Sequence, residues 1–299
     1  MVQTKMKVCP APSEFEVLIK EIQAKHLVLV AERKHGKSTS LKTFIEYVKR
    51  ALGDGVLIKV FDVSQSWFHC APVEHRQYVM PGSRPVNVGD CVFEMGELSK
   101  DGRRAFVGSV LSLDYHERQR LKRVGGEAAI AGLPMVLYVF EEANTYFDSS
   151  SLIRKDAYAT VLNDFVSVGR NYGLGGVLVV TRMVGELAPG IRERSNLLLG
   201  RIMGAGELRS LSGLTNKAFM ITARAVERFH WVYWNGEGLG PFRIRDLVKS
   251  APVDFELPRE EGAAVEEPRP RGYWSRFFMG FLAGAALLWL AAHFRGLYS

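Results

Sequence analysis

Cysteine is scarce in this chain and scattered: Cys9, Cys70 and Cys91 are the only three among 299 residues. An odd number at irregular spacing argues against a disulfide framework and for a reducing compartment. His69, Cys70, His75 and Cys91 fall in one stretch, but no CxxC or HxxxH spacing joins them, which speaks against a zinc site. The opening "MVQTKMKVCPAPSEFEV" lacks an apolar core segment, so no secretory leader is expected. Internal repeats and low-complexity blocks are missing from the body of the chain. With 47% hydrophobic and 24% charged residues, disorder is excluded, and the length suits one large α/β domain with an appendage.

Long uncharged runs are also absent, with one exception. "FFMGFLAGAALLWLAAHF", residues 277–294, follows Tyr273, Trp274 and Arg276. As a helix it reaches roughly 27 Å, enough to cross a hydrocarbon core. The expected organisation is a motor-sized body over 1–250, an acidic Pro-containing linker over 251–275 and a transmembrane helix over 276–295. Arg269, Arg271 and Arg276 before the span outnumber Arg295 after it, which keeps the body on the cytoplasmic or virion-interior side. Gly280 and Gly284 form a GxxxG step on which such helices can pack. Between 251 and 270 six acids face two arginines, a net charge of −4. The whole chain carries +7, leaving +11 on the remainder, a balance that suits a polyanionic partner.

The body alternates strand and helix patterns. "SEFEVLIKEIQ" (13–23) reads as a helix, "HLVLV" (26–30) as a buried strand and "STSLKTFIEYVKRAL" (38–52) as an amphipathic helix. "GVLIKVFD" (55–62), "MVLYVFEE" (135–142) and "GGVLVVT" (175–181) are further strands. Between 67 and 125 the pattern predicts loops and one helix over "LSLDYHERQRLKR" (111–123). "NLLLGRI", "AFMIT" and "FHWVYW" come later, the last as an edge hairpin or closing strand. Continuous apolar strands alternating with helices predict a mostly parallel sheet covered on both faces.

Between the first strand and its helix stands Ala31-Glu32-Arg33-Lys34-His35-Gly36-Lys37-Ser38-Thr39. This is the GxxxxGK[ST] phosphate loop with alanine at its first position, a residue still small enough for the tight turn. Backbone N–H groups of 33–38 can wrap a β-phosphate, and the following helix adds its positive end. Lys37 neutralises β/γ-phosphate oxygens in such a loop, and Ser38 holds Mg²⁺ through its hydroxyl. A phosphate loop needs acids from a neighbouring strand, and "MVLYVFEEAN" ends in Glu141-Glu142. The first acid suits the Mg²⁺ shell, although aspartate is usual there, and Glu142 suits the water-activating role. ATP and Mg²⁺ are the expected ligands.

"YVFEEAN", "GRNYGLGGVLVVTR" and "IRERSNLLLGRI", in that order after the phosphate loop, resemble the HerA/FtsK superfamily of hexameric P-loop motors over residues 25–247. The resemblance implies a RecA-like P-loop NTPase fold and a homo-hexameric ring that translocates double-stranded DNA without reading its sequence. It implies a γ-phosphate sensor at the end of "GVLVVT", usually Gln; here either Arg182 makes that contact or Thr181 takes its place. It also implies an arginine acting across a subunit boundary, for which Arg170 in "VGRNYG" fits first and Arg194 second. Arg103, Arg104 and "HERQRLKR" (116–123) are candidate contacts to DNA in the channel. With the membrane span, the chain is similar to viral genome-packaging ATPases, with lipid and capsid or membrane proteins of a virion as further partners. Two alternatives stand beside it: an extrusion ATPase of the zonula-occludens-toxin type, and a nucleotide-binding membrane scaffold with little hydrolysis.

Overall fold

The computed structural model describes residues 22, 25–71, 73–86, 89–148, 157–182, 187–202, 204–236 and 239–243. The expected helix over 13–23 lies outside this set apart from Ile22, and the linker and transmembrane span lie wholly outside it. Among the described residues no helix is long and apolar enough to cross a membrane.

Nine strands form one sheet: β1 (Leu27–Val30), β2 (Val56–Asp62), β3 (Arg76–Tyr78), β4 (Cys91–Glu94), β5 (Met135–Phe140), β6 (Leu174–Val180), β7 (Asn196–Leu199), β8 (His230–Trp234) and β9 (Leu239–Arg243). Their order is β3-β4-β2-β5-β6-β1-β7-β8-β9. Pairing is parallel from β3 through β7 and antiparallel for β7–β8 and β8–β9. Strands β1 and β6 are buried at every position, because helices cover both faces. On one face lies α1 (Lys37–Leu52), which buries Leu41, Phe44, Ile45 and Val48, a spacing of three and four that puts them on one stripe. The other face carries α2 (Lys100–Ala131) and α4 (Ala157–Val168). The short α3 (Asn144–Phe147) follows β5, while α5 (Pro189–Arg194) precedes β7. Helices α6 (Ala205–Ser212) and α7 (Lys217–Ala225) come between β7 and β8.

The mostly parallel α/β architecture is as expected, and the stretch from 67 to 125 corrects the prediction. It adds the edge strands β3 and β4, and its helix starts at Lys100, well before 111, and runs for 32 residues. Ser99 caps that start, its hydroxyl accepting from Gly102 N at 3.1 Å. Gly126, at φ 67, kinks the far end. "AFMIT" lies within α7.

A charged cluster is sealed beneath α2. Lys59 on β2 donates to both carboxylate oxygens of Asp114, at 2.9 and 2.7 Å, and the Tyr138 hydroxyl donates to the same carboxylate. Lys59 is 1% exposed and Asp114 5%. Beside Lys59 in the sheet register sits Cys91, whose thiol burial pushes up to about 12, so it carries no reactive thiolate. A buried pair broken on one side leaves an uncompensated charge, so Asp114→Ala should cost about 3–5 kcal/mol in urea unfolding. The double variant Lys59→Met/Asp114→Leu should recover most of that loss.

Candidate nucleotide site

Strand β1 lies mid-sheet with β6 on one side and β7 on the other, so the loop leaving its carboxyl end opens where neighbouring strand tips converge. Crevices of this kind bind ligands in open α/β sheets. Here the crevice is a cavity of about 1040 Å³. Its wall brings together Arg33, Lys37 and Ser38 of the loop, Glu141 and Glu142 at the β5 tip, and Thr181 and Arg182 at the β6 tip.

The loop folds as its sequence demands. Lys34 and Gly36 take left-handed backbone, at φ 64 and 97, which turns the chain back before α1 begins at Lys37. A Cβ at Gly36 would lie 2.2 Å from Phe229 Cε1, so this position admits no side chain. The Lys37 ammonium lies across the loop, donating to the Ala31 carbonyl at 2.8 Å and the Glu32 carbonyl at 3.2 Å. His35 turns away from the cavity: its ring is buried, with Nε2 3.0 Å from the His230 carbonyl and its edge toward Trp231. Lys34 and Thr39 are exposed and, like His35, contribute no side chain to the wall. Glu32 is on the wall and pairs with Arg201 just beyond β7.

The two acids differ sharply. Glu141 is 5% exposed. Ser66 Oγ and Trp67 Nε1 donate to its Oε1 at 2.9 and 2.8 Å, and Ser64 Oγ donates to its Oε2 at 2.6 Å. Burial holds its carboxyl above the usual range and the nearby Asp62 charge adds to this, while those three donors oppose the shift. Glu142 is exposed to the cavity and sits in left-handed backbone at φ 52, an uncommon state for a non-glycine residue. Bonds from Ala143 N to Val179 O and from Thr145 N to Glu142 O hold the tip in that shape. Strain of this kind costs on the order of 1–3 kcal/mol and persists where surrounding structure enforces it.

The donors around Glu141 come from the loop after β2, which sequence reasoning did not assign. Asp62 ends β2 fully buried and accepts from the backbone N–H of Ser64, Ser66, Trp67 and Phe68. Lys42 of α1 donates to the Ser66 carbonyl and lies 5.6 Å from the Trp67 ring centroid. The run Asp62-Val63-Ser64, an acid and a hydroxyl just past an apolar strand, was the available signal. Asn144, Ile202, Gly204, Gly206 and Glu207 also line the cavity.

The other arginines are elsewhere. Arg170 stands in the turn after α4, near His26 at the amino end of β1, the opposite end of the strand from the phosphate loop. Arg194 donates to Ser167 Oγ at 3.0 Å. Two candidate channel contacts are committed inside the fold: Arg103 holds the Met95 and Gly96 carbonyls at 3.1 Å, and the buried Arg118 holds the carbonyls of Tyr172 and Pro134. Arg104 is 3% exposed. His116, Arg120 and Arg123 remain on the surface.

His26 carries a pH signature. Burial, with the Arg170 charge adding to it, lowers its pKa from 6.5 to about 4. The folded chain therefore keeps it neutral where the unfolded chain takes a proton, and stability falls as pH drops from 6.5 toward 4. Urea titrations across that window should show a loss on the order of 3 kcal/mol, and His26→Phe should flatten it.

No family model matches the sequence, and no curated protein resembles it. Solved structures do. The genome packaging NTPase B204 from Sulfolobus turreted icosahedral virus 2, in complex with sulfate, is 17% identical with a TM-score of 0.52, over 73% of this chain and 96% of that one. EssC (ATPases 2 and 3) from Geobacillus thermodenitrificans is 13% identical with a TM-score of 0.54, over 78% of this chain and 42% of that one. The pCW3 conjugation coupling protein TcpA with ATPgS is 12% identical with a TM-score of 0.50, over 75% and 62%. These are FtsK/HerA-type P-loop ATPases, and the chain shares their fold.

Proposed function

We propose that the chain is a membrane-anchored, ATP-driven DNA translocase of the genome-packaging kind. The observation that carries the ATPase reading is a single cavity faced by Lys37 and Ser38 from one side and by Glu141 and Glu142 from the other. Lys37 would exchange the Ala31 and Glu32 carbonyls for β/γ-phosphate oxygens. Glu142 would orient the attacking water and accept its proton as the water oxygen bonds to the γ-phosphorus and the bond to the β,γ-bridging oxygen breaks. Magnesium takes hard oxygen ligands and needs only one or two from protein. The Ser38 hydroxyl and Glu141 carboxylate fit that donor set; the ion, when bound, supplies charge neutralisation along the phosphates. Arg182 or Thr181 would meet the γ-phosphate from the β6 tip.

DNA as the load is supported by the +11 charge outside residues 251–270 and by a fold shared with a genome packaging NTPase and a conjugation coupling protein. His116, Arg120 and Arg123 are the exposed cations of α2 suited to phosphate contact. A homo-hexameric ring would deliver Arg170 to a neighbour's cavity, and residues 277–294 would hold the ring at a membrane.

With the full chain in detergent or vesicles, ATP hydrolysis should rise severalfold on adding double-stranded DNA. Turnover indifferent to DNA would favour an extrusion enzyme, and no turnover a scaffold. Lys37→Ala should abolish turnover; Glu142→Gln should bind ATP like the wild type while losing at least about a hundredfold in kcat. Normal hydrolysis by Glu142→Gln would remove Glu142 from the mechanism.

A further inference from the structure

The cavity has two ends, and the hydrolysis just described uses one. On the β6 side of β1 stand the acids and the sensor position; on the β7 side Ile202, Gly204, Gly206 and Glu207 line the same space. A nucleoside triphosphate is a linear ligand whose reacting phosphorus is at one end. With that end facing Glu142 and the middle phosphates in the loop after β1, its ribose and base must trail toward β7. We propose that the β7-side wall is the ribose and base subsite, and that the Glu207 carboxylate accepts hydrogen bonds from the ribose hydroxyls. This rests on the ATPase reading of the cavity.

The wall has the chemistry for that ligand. Glu207 is 9% exposed, a carboxylate facing into a cavity from the first turn of α6. Its charge would repel phosphate oxygens, whereas the vicinal hydroxyls of ribose offer two donors to an acceptor-only group. A Cβ added to Gly206 would meet nothing within 4 Å, and one added to Gly204 would meet only the Cβ of Glu207 at 3.6 Å. The space in front of this backbone is therefore open to a flat ring. Ile202, 3% exposed, supplies an apolar side. Glu32 fixes the spacing between loop and wall, its side chain paired to Arg201 and its N–H donating to the Arg201 carbonyl at 3.2 Å.

Glu207 also occupies the third position of α6 after Gly204, where a glutamate can cap the helix. The test therefore reads a ratio that capping does not move. KM and kcat are measured for ATP and for 2′,3′-dideoxyATP with the full chain. The wild type should show a KM for the dideoxy nucleotide roughly tenfold higher, at similar kcat, as expected for hydrogen bonds to a charged group. In Glu207→Ala the KM for ATP should rise to meet that of the dideoxy nucleotide, so that the ratio falls to about one. Glu207→Gln keeps the cap and a neutral acceptor and should give an intermediate ratio; it carries the test alone should the alanine variant not fold. A wild-type ratio of one, or a ratio unchanged in the variants, overturns the assignment of Glu207. If the wild type hydrolyses neither nucleotide and binds neither, the ATPase reading itself fails, and that outcome is distinct from the other two.

Discussion

Position 36 has room for no side chain, and the site is organised around that constraint. The left-handed turn at Gly36 is pressed against the Phe229 ring, Phe229 N donates to the His35 carbonyl, and the His35 ring reaches the His230 carbonyl. The phosphate loop is thus clamped by the segment that enters β8, almost two hundred residues away in the chain. A loop that must present its N–H groups to a phosphate gains from being held before the ligand arrives, because ordering it at binding would cost affinity. The same clamp explains why β8 runs antiparallel beside β7: the chain must return past the loop to reach it.

The acid tips are held by a different device. Strands β2, β4 and β5 end in Asp62, Glu94 and Glu141, all nearly inaccessible. Three carboxylates side by side would repel one another, yet the loop after β2 supplies a donor to each. Asp62 accepts its backbone N–H groups, Glu141 accepts Ser64, Ser66 and Trp67, and Glu94 accepts Gln65 Nε2 at 3.3 Å. Glu142 alone among these tip acids faces the cavity with its carboxylate outside this network. The division follows from chemistry: a positioned acid needs donors around it, whereas a proton acceptor needs an accessible lone pair.

Those differences mark what could be read without coordinates. Strands β1, β2, β5 and β6 were legible within a residue or two, since a run such as "LGGVLVV", buried on both faces, leaves an uninterrupted apolar trace. The phosphate loop and the Glu141-Glu142 pair were legible because their spacing is local. Strands β3 and β4 were not, because three or four residues are too few to show a period. Glycines 102, 108, 125 and 126 broke the pattern of α2, although capping by Ser99 and packing on the sheet make it a helix. The Ser64 to Trp67 clasp and the Glu207 wall were hidden for another reason. Each meets the site only after strands far apart in sequence become neighbours, and neither carries a local signature strong enough to announce it.

The position of Arg170 constrains how such a site could be completed. It lies near the amino end of β1, while the cavity opens at the carboxyl end. Four residues of extended strand alone span roughly 13 Å, and the loop adds to that, so this guanidinium cannot reach a phosphate bound by its own chain. A twofold dimer pairs identical faces, so one contact would have to carry both the cavity and the arginine edge for the two to meet. A head-to-tail contact joins unlike faces and brings the arginine edge of each subunit to the cavity of the next, and repetition closes into a ring. If Arg170 takes part in hydrolysis at all, the ring is therefore the simplest assembly that lets it, and turnover would depend on protein concentration as well as on nucleotide.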